Sequence, residues 1–283
     1  MFENRSKLFV YESTHAGSGK RINAEIKSVH ISLFWSIFNK RIILFFYNYV
    51  VLKIDLNLLN KQALKSSVSF PVTKLYPCCE DRKDNAGSLC FHYFHQDLYI
   101  AQRIYQNQPI KHIDIGSRID GFVAHVASYR EIEIYDIRPL NEKIPNVKFK
   151  QADLMNLSHD EFECTNSISY LQALEHFGLG RYGDDICFDE YMHGFLNIHK
   201  MLKKGGKFYF SVPMGEQRIE FHAHRVFSLS YLLDMITPYY IIDIFSYVDD
   251  DNVFHENIKI SENSLINNYE CIMGCAIFEL SKK

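Results

Sequence analysis

The sequence lacks the signatures that settle most functional questions at once. It has no G-x-G-x-x-G. Its one stretch resembling a phosphate loop, residues 9–21, carries Thr14 where that motif needs glycine and Arg21 where it needs Ser or Thr. A polar turn is expected there, and a nucleoside triphosphatase is excluded on that stretch. Net charge is −3, so no excess of cationic side chains exists to neutralise a phosphate backbone, which excludes a general nucleic-acid binder. The seven cysteines follow no framework spacing: Cys78 and Cys79 are adjacent, and Cys271 and Cys275 fall on one apparent strand. Reduced thiols in a cytoplasmic setting are expected. No basic–apolar–small cleavage pattern opens the sequence, so no secretory signal is expected. Internal repeats and low-complexity tracts are also missing.

What is present centres on residues 111–139. Ile113 and Ile115 alternate with polar neighbours and run into Gly116. Apolar residues at helical spacing follow (Phe122, Val123, Val126, Ala127), and residues 131–135 alternate again. This second strand ends at Asp136, twenty positions after Gly116. The pattern is the first βαβ half of a nucleotide-binding sheet, with a carboxylate placed to accept hydrogen bonds from a ribose. The turn itself reads Gly116-Ser-Arg-Ile-Asp-Gly121. Arg118 fills the slot where a dinucleotide site needs glycine, and its Cβ and guanidinium argue against close approach of a pyrophosphate. S-adenosylmethionine has no phosphate and needs only the turn and the acid.

At 283 residues and 47% hydrophobic, the chain suits one domain of ordinary size with an extension, or two small ones. Residues 1–88 read as that extension and residues 89–283 as the domain, with Pro71, Pro77 and the polar run 80–87 as the boundary. Residues 31–54 are strongly apolar but are interrupted by Asn39, Lys40 and Arg41. The longest clean run, residues 42–52, is too short to span a bilayer. Residues 31–54 are expected either to form a buried or partner-facing helix or to lie on the inner membrane face, with Lys40, Arg41 and Lys53 among the head groups. In the domain, a helix is expected over 93–105 and strands over 110–115, 131–135, 146–150, 164–171, 207–212, 239–247 and 269–280. Helices are expected over 185–202, stopped by Gly205 and Gly206, and over 229–235. The sum is an α/β, Rossmann-like, mostly parallel seven-stranded sheet with an antiparallel edge.

Ligands of such sheets bind beyond the carboxyl ends of the strands, so candidate site residues follow each strand. Glu175 and His176 come after the fourth. An imidazole unprotonated near neutral pH is the leading general base, and Glu175 can orient it. Arg181, Tyr182, His222, His224 and Arg225 are candidates for binding a glycosyl or anionic substrate, with a structural salt bridge to Asp184 or Asp185 the alternative for Arg181. His222 and His224 are spaced to share one side of an extended segment, but no complete ligand spacing joins them to a carboxylate, so no metal is expected.

The motif order resembles class I S-adenosylmethionine-dependent methyltransferases. A D-x-G turn, a ribose acid, Ala152-Asp-Leu, Leu174-Glu-His and Leu202-Lys-Lys-Gly-Gly follow one another as in that family. More narrowly, HIDIGSRIDGFVAHVA, ALEHFGLGRYGD and VPMG…HAHRVFS, all within residues 91–240, resemble a bacterial family of methyltransferase-like proteins often encoded among surface-polysaccharide genes. The resemblance implies that Asp114, Gly116, Ser117 and Gly121 form the loop on the methionine side, that Asp136 accepts the ribose, and that Asp153 and Leu154 hold the adenine. It implies O-methylation of a saccharide or nucleotide-sugar intermediate of cell-surface glycan synthesis, with a small-molecule or glycan acceptor and no nucleic-acid partner. A methyltransferase fold without turnover, serving as a scaffold at the membrane, is the alternative. An NAD-dependent oxidoreductase is disfavoured by Arg118 and by the lack of a Tyr-x-x-x-Lys pair. The sequence leaves the oligomeric state open.

Overall fold

The computed structural model describes residues 42–78, 86, 87, 89, 91–181 and 183–283. The polar turn at 9–21, residues 31–41 of the apolar segment and most of the expected boundary loop lie outside the described residues. The chain divides into two compact units, Met1–Gly87 and Ser88–Lys283.

In the first unit, α1 runs over Ile42–Ala63. The apolar run therefore does not stop at Leu52: the helix continues through Lys53 and Asp55 to Ala63, a length of roughly 33 Å at 1.5 Å per residue. By length and composition it can cross a membrane. Its large apolar side chains, Phe45, Phe46, Tyr49, Ile54 and Leu58 among them, are exposed.

The second unit is a single sheet covered on both faces. α2 (Phe91–Asn107) buries Tyr99, Ile100 and Ile104 on one stripe. It ends where Gln108 takes a left-handed φ of 44° directly before Pro109, which cannot continue a helix. β1 (Ile113–Ile115) then leads into a helical turn, Ile119–Val123, continued by α3 (Ala124–Ala127). β2 (Ile132–Asp136), β3 (Val147–Gln151), β4 (Thr165–Leu171), α4 (Glu190–Met201) and β5 (Leu202–Met214) follow. β6 (Arg218–Glu220) and β7 (His224–Val226) form a separate hairpin. The chain closes with α5 (Leu229–Ile236), β8 (Tyr240–Val248), β9 (Phe254–His255), α6 (Glu262–Asn267) and β10 (Gly274–Lys282).

The large sheet has eight strands in the order β3-β2-β1-β4-β5-β10-β8-β9. The first five are parallel, in register from Ile134 against Phe149 to Ser169 against Tyr209. The α/β, Rossmann-like, mainly parallel sheet is as expected, but it has eight strands rather than seven, and its details differ in two further places. The reversed strand β10 lies inside the sheet, antiparallel to both β5 and β8, while the antiparallel edge is the two-residue β9. Gly205 and Gly206 do not stop a helix. α4 has already ended at Met201, and the glycines sit in an irregularity of β5, where Thr165 pairs with Leu202 but Ser167 pairs with Lys207. Gly205 has a φ of +71°, which only glycine adopts without strain.

Alternation along the inner strands builds two hydrophobic layers. Phe208, Phe210 and Val212 of β5 and Phe278 and Leu280 of β10 face one side with Phe195 and Ile198 of α4. Tyr209, Cys275 and Ile277 face the other, with Ile100, Ile104, Phe122 and Val126. Both faces of the central parallel strands are buried, so the polar residues that alternate along β1 and β4, Asp114, Ser167 and Ser169, lie inside the protein and hydrogen-bond to one another and to His112. The order reverses between β1 and β4, and the connections leaving these strands open a crevice at their carboxyl ends.

Candidate active site

That crevice is a cleft of about 1140 Å³, lined from the ends of β1, β2, β4 and β5 and from the first turns of α2. One half is built around the turn after β1. Gly116 has a φ of +73°, and its N–H donates to the Tyr135 carbonyl at 3.0 Å, which pins the turn to β2. Beneath it Asp114 is fully buried. Its carboxyl accepts from the Ser117 N–H at 3.2 Å, from Ser117 Oγ at 2.8 Å and from Ser169 Oγ. His112 Nε2 lies 3.1 Å from the same Ser169 Oγ. Burial pushes the Asp114 carboxyl up to about 7, against the pull of these hydrogen bonds. Asp114 and Ser117 thus hold the turn in shape from below; Ser117 also lines the cleft, whereas Asp114 does not.

Gly121 is required for a different reason. A Cβ there would lie 2.5 Å from Asp97 Oδ2 of α2. Asp97 lines the cleft, takes a 3.0 Å hydrogen bond from Gln96 Nε2, and is raised above the ordinary carboxyl range by burial. Arg118, the residue in the slot of the missing glycine, pairs with Asp120 at 2.7 Å at the exposed mouth.

Asp136 stands at the end of β2, as the sequence places it, and is largely enclosed. Arg138 holds it from two positions on: its N–H and Nε reach Oδ1 at 2.8 and 3.0 Å, and its Nη2 reaches Oδ2 at 2.6 Å. Asp153 closes a turn after β3 by accepting from the Met155 N–H at 2.9 Å and from Asn156 Nδ2 at 2.6 Å. Leu154 is buried beside it, and its carbonyl accepts from Asn197 Nδ2 at 2.9 Å. All three line the cleft.

The other half follows β4. Gln172 takes a φ of +52°, a strained conformation for a residue with a Cβ, and turns the chain into the helical turn Leu174–His176. Glu175 is 2% exposed, and burial raises its carboxyl to about 8. His176 Nδ1 lies 2.7 Å from the Ala223 carbonyl, to which it can only donate, and this tautomer leaves the lone pair on Nε2; Arg181 Nη1 stands 3.3 Å from the same Nδ1. That Nε2 lies 3.7 Å from Glu175 Oε1. Burial lowers the imidazole to about 4, despite the hydrogen bond to Ala223, so the ring is neutral at physiological pH.

The hairpin β6–β7 supplies the Ala223 carbonyl and separates the two histidines paired in the sequence. His222 is exposed at the turn with a φ of +69°, whereas His224 lines the cleft with Nε2 3.4 Å from Glu220 Oε2. The expectation of an extended segment with both rings on one side fails because the chain turns at His222. Arg181 also lines the cleft, its Nη1 donating to the Ala223 carbonyl at 3.2 Å. Tyr182 lies outside the described residues. Arg225 is directed elsewhere: it is 4% exposed, donates to the carbonyls of Phe177 and Phe188, and lies over the Tyr191 ring at 4.7 Å. Its guanidinium ties the turn after β4 to the start of α4. Among the described residues, no group of three or more His, Cys, Asp or Glu side chains is placed to hold a metal ion.

Residues 127–273, more than half of the chain, match the family model described as "Caenorhabditis protein of unknown function, DUF268". The chain belongs to this family. No curated protein matches it. Solved structures with a similar fold include the 1,6-didemethyltoxoflavin-N1-methyltransferase of Burkholderia thailandensis, with 1,6-didemethyltoxoflavin and S-adenosylhomocysteine bound. It is 12% identical, with a TM-score of 0.48, over 67% of this chain and 79% of that one. The N-methyltransferase NodS of Bradyrhizobium japonicum, in complex with S-adenosylhomocysteine, is 13% identical. Its TM-score is 0.44, over 72% of this chain and 91% of that one.

Sequence reasoning on this DUF268 chain missed the contribution of α2 and the inner wall of the cleft. His92 and Asp97 enter from a helix that precedes β1, where no strand end draws attention to them. Tyr170 and Glu190 line the wall beneath Glu175. Tyr170 was legible in principle, since it falls one residue before the end of β4. Glu190 was not, because it reads as one more acid in the first turn of a helix.

Proposed function

We propose that this protein is an S-adenosylmethionine-dependent methyltransferase acting on a hydroxyl of a saccharide or nucleotide-sugar intermediate of cell-surface glycan synthesis. The observation that carries this reading is the neutral, tautomer-fixed His176 facing a cleft whose opposite half ends in Gly116, Gly121 and Asp136. The residues fit an S-adenosyl group. Gly116 and Ser117 line the cleft with no bulky side chain at the turn after β1, and Asp136 offers a carboxylate where a ribose is expected. The volume exceeds the roughly 300–1,000 Å³ of a single small-ligand site, leaving room for two reactants.

In this reading Asp114 and Ser117 hold the turn that carries the cofactor, Asp136 takes its ribose, and Leu154 lies beside the base. When bound, that cofactor supplies a methyl group activated by a sulfonium. The chain's own work is to align the acceptor hydroxyl and remove its proton, which passes to Nε2 of His176. Nδ1 keeps its proton on the Ala223 carbonyl throughout, and the nearby Glu175 carboxyl faces the ring that becomes positive. Calorimetric titration of the full chain with S-adenosylhomocysteine and, separately, with NAD tests the cofactor. Micromolar binding of the first and none of the second is expected. Absence of S-adenosylhomocysteine binding would overturn the reading, and tight NAD binding would replace it with a dehydrogenase.

The N-terminal unit is read as a peripheral contact with the cytoplasmic membrane face through residues 31–54. The exposed apolar surface of α1 favours a membrane contact, and its length also allows it to cross the bilayer. It also favours the second reading, a membrane scaffold without turnover. A chain lacking residues 1–88 is expected to leave the membrane fraction on cell fractionation; unchanged partitioning would sink the membrane contact.

A further inference from the structure

Among the described residues, Tyr170 Oη, Glu175 Oε2 and Glu190 Oε2 are buried polar atoms without a hydrogen-bond partner, and all three residues line the cleft. They come from three elements: the end of β4, the turn after it and the first turn of α4. Tyr170 is 1% exposed and Glu175 is 2% exposed, so water does not satisfy these groups from bulk solvent. They share one cleft: Tyr170 lies near the end of β4, Glu175 in the turn that follows, and α4, opened by Glu190, packs against that turn. Buried polar atoms in native proteins are almost always paired, and several orphans on one cleft wall mark a place where a ligand completes the pairing.

The chemistry of the wall narrows the ligand. A phenol can donate or accept, a protonated carboxyl can do both, and a carboxylate accepts only. Burial keeps Glu175 protonated to about pH 8, while Glu190 sits in a field made by Asp184, Asp153 and Asp185. Phosphate or carboxylate groups entering this wall would meet the acidic field around Glu190, offset in part by the Arg181 guanidinium that acts on Glu175. Hydroxyl groups, each a donor and an acceptor, match all three partners.

We propose that Tyr170, Glu175 and Glu190 form the acceptor subsite for an uncharged, polyhydroxylated ring, and that they select it over phosphorylated or acidic sugars. This rests on the methyl-transfer reading and narrows its substrate class: the ring seated at the wall carries no phosphate and no carboxylate. Glu175 then has two parts, with Oε1 towards His176 and Oε2 towards the ring.

Ligand-observed NMR of the full chain, with and without saturating S-adenosylhomocysteine, tests it. The probes are the methyl α-glycosides of glucose, mannose and galactose, with glucose 6-phosphate and glucuronate as the charged comparators. At least one neutral glycoside is expected to bind better than either charged sugar. Tyr170→Phe and Glu190→Gln are each expected to weaken it on the order of tenfold, leaving S-adenosylhomocysteine affinity within about twofold. Tyr170→Phe keeps the ring and its packing on Phe177, so a loss confined to the sugar reports the hydroxyl. The subsite is refuted if no neutral glycoside binds, if a charged sugar binds better, or if both variants bind as the wild type does. Failure of S-adenosylhomocysteine to bind sinks the methyl-transfer reading instead, and glycoside binding without it still decides the wall.

Discussion

His176→Ala lowers kcat for methyl transfer on the order of 10² to 10⁴-fold while leaving S-adenosylhomocysteine binding unchanged, the loss expected when a general base is removed. A sugar hydroxyl is a poor nucleophile until its proton has somewhere to go. Nε2 is the one atom of the imidazole able to accept it, because Nδ1 is committed to the Ala223 carbonyl. The pH profile separates this role from a structural one. Burial depresses His176 from 6.5 to about 4, so the base is available at any pH above about 4. The rising limb of kcat therefore sits near pH 4, well below the 6.5 of an exposed histidine. Glu175 is pushed up to about 8 by the same burial. Once ionised, a carboxylate 3.7 Å from Nε2 favours the imidazolium formed on proton transfer, so a second upward step near pH 8 is expected. Glu175→Gln removes the upper step and keeps the lower one. A wild-type profile with its only limb near 6.5, or a His176→Ala enzyme with unaltered kcat, would take the base role away from this residue.

The parts of this fold that were legible in the sequence are those fixed by short-range chemistry. β1, β2 and β4 announce themselves by alternation and by the turn residues at their ends, and Gly116 and Asp136 follow from their spacing alone. The position of β10 was not legible. Whether the last strand joins the edge or slots between β5 and β8 is decided by which neighbours it hydrogen-bonds, and its own pattern is the same either way. Gly205 and Gly206 misled because a glycine pair after an apolar helix is the usual stop signal, whereas here the strand begins first and bulges. The His176–Ala223 contact joins residues 47 positions apart and uses a main-chain carbonyl, which no side-chain motif reports. His222 failed as a partner of His224 because spacing says nothing about a turn between them. Arg225 looked like a substrate grip for the same reason that it is a good brace: its planar fork satisfies several carbonyls at once.

Asp136→Ala weakens S-adenosylhomocysteine binding on the order of 10- to 100-fold, the value of hydrogen bonds from ribose hydroxyls to a charged acceptor. The substitution spares the sheet, since the Asp136 carbonyl, which accepts from the Ala152 N–H at 3.0 Å, is untouched. Arg138 makes the opposite prediction. Its guanidinium and N–H use three of the roughly four lone-pair sites of the same carboxylate, so ribose hydroxyls must compete with it. Arg138→Ala is expected to tighten binding about three- to tenfold at low ionic strength. Because Arg138 is more than half exposed, salt screens its hold, and wild-type affinity rises with ionic strength while that of Arg138→Ala does not. Calorimetry of the three proteins at low and high salt reads all of this. Unchanged binding by Asp136→Ala would remove the ribose role from this acid. Weaker binding by Arg138→Ala would show that the arginine orients the carboxylate for the ligand, and the competition argument would fall.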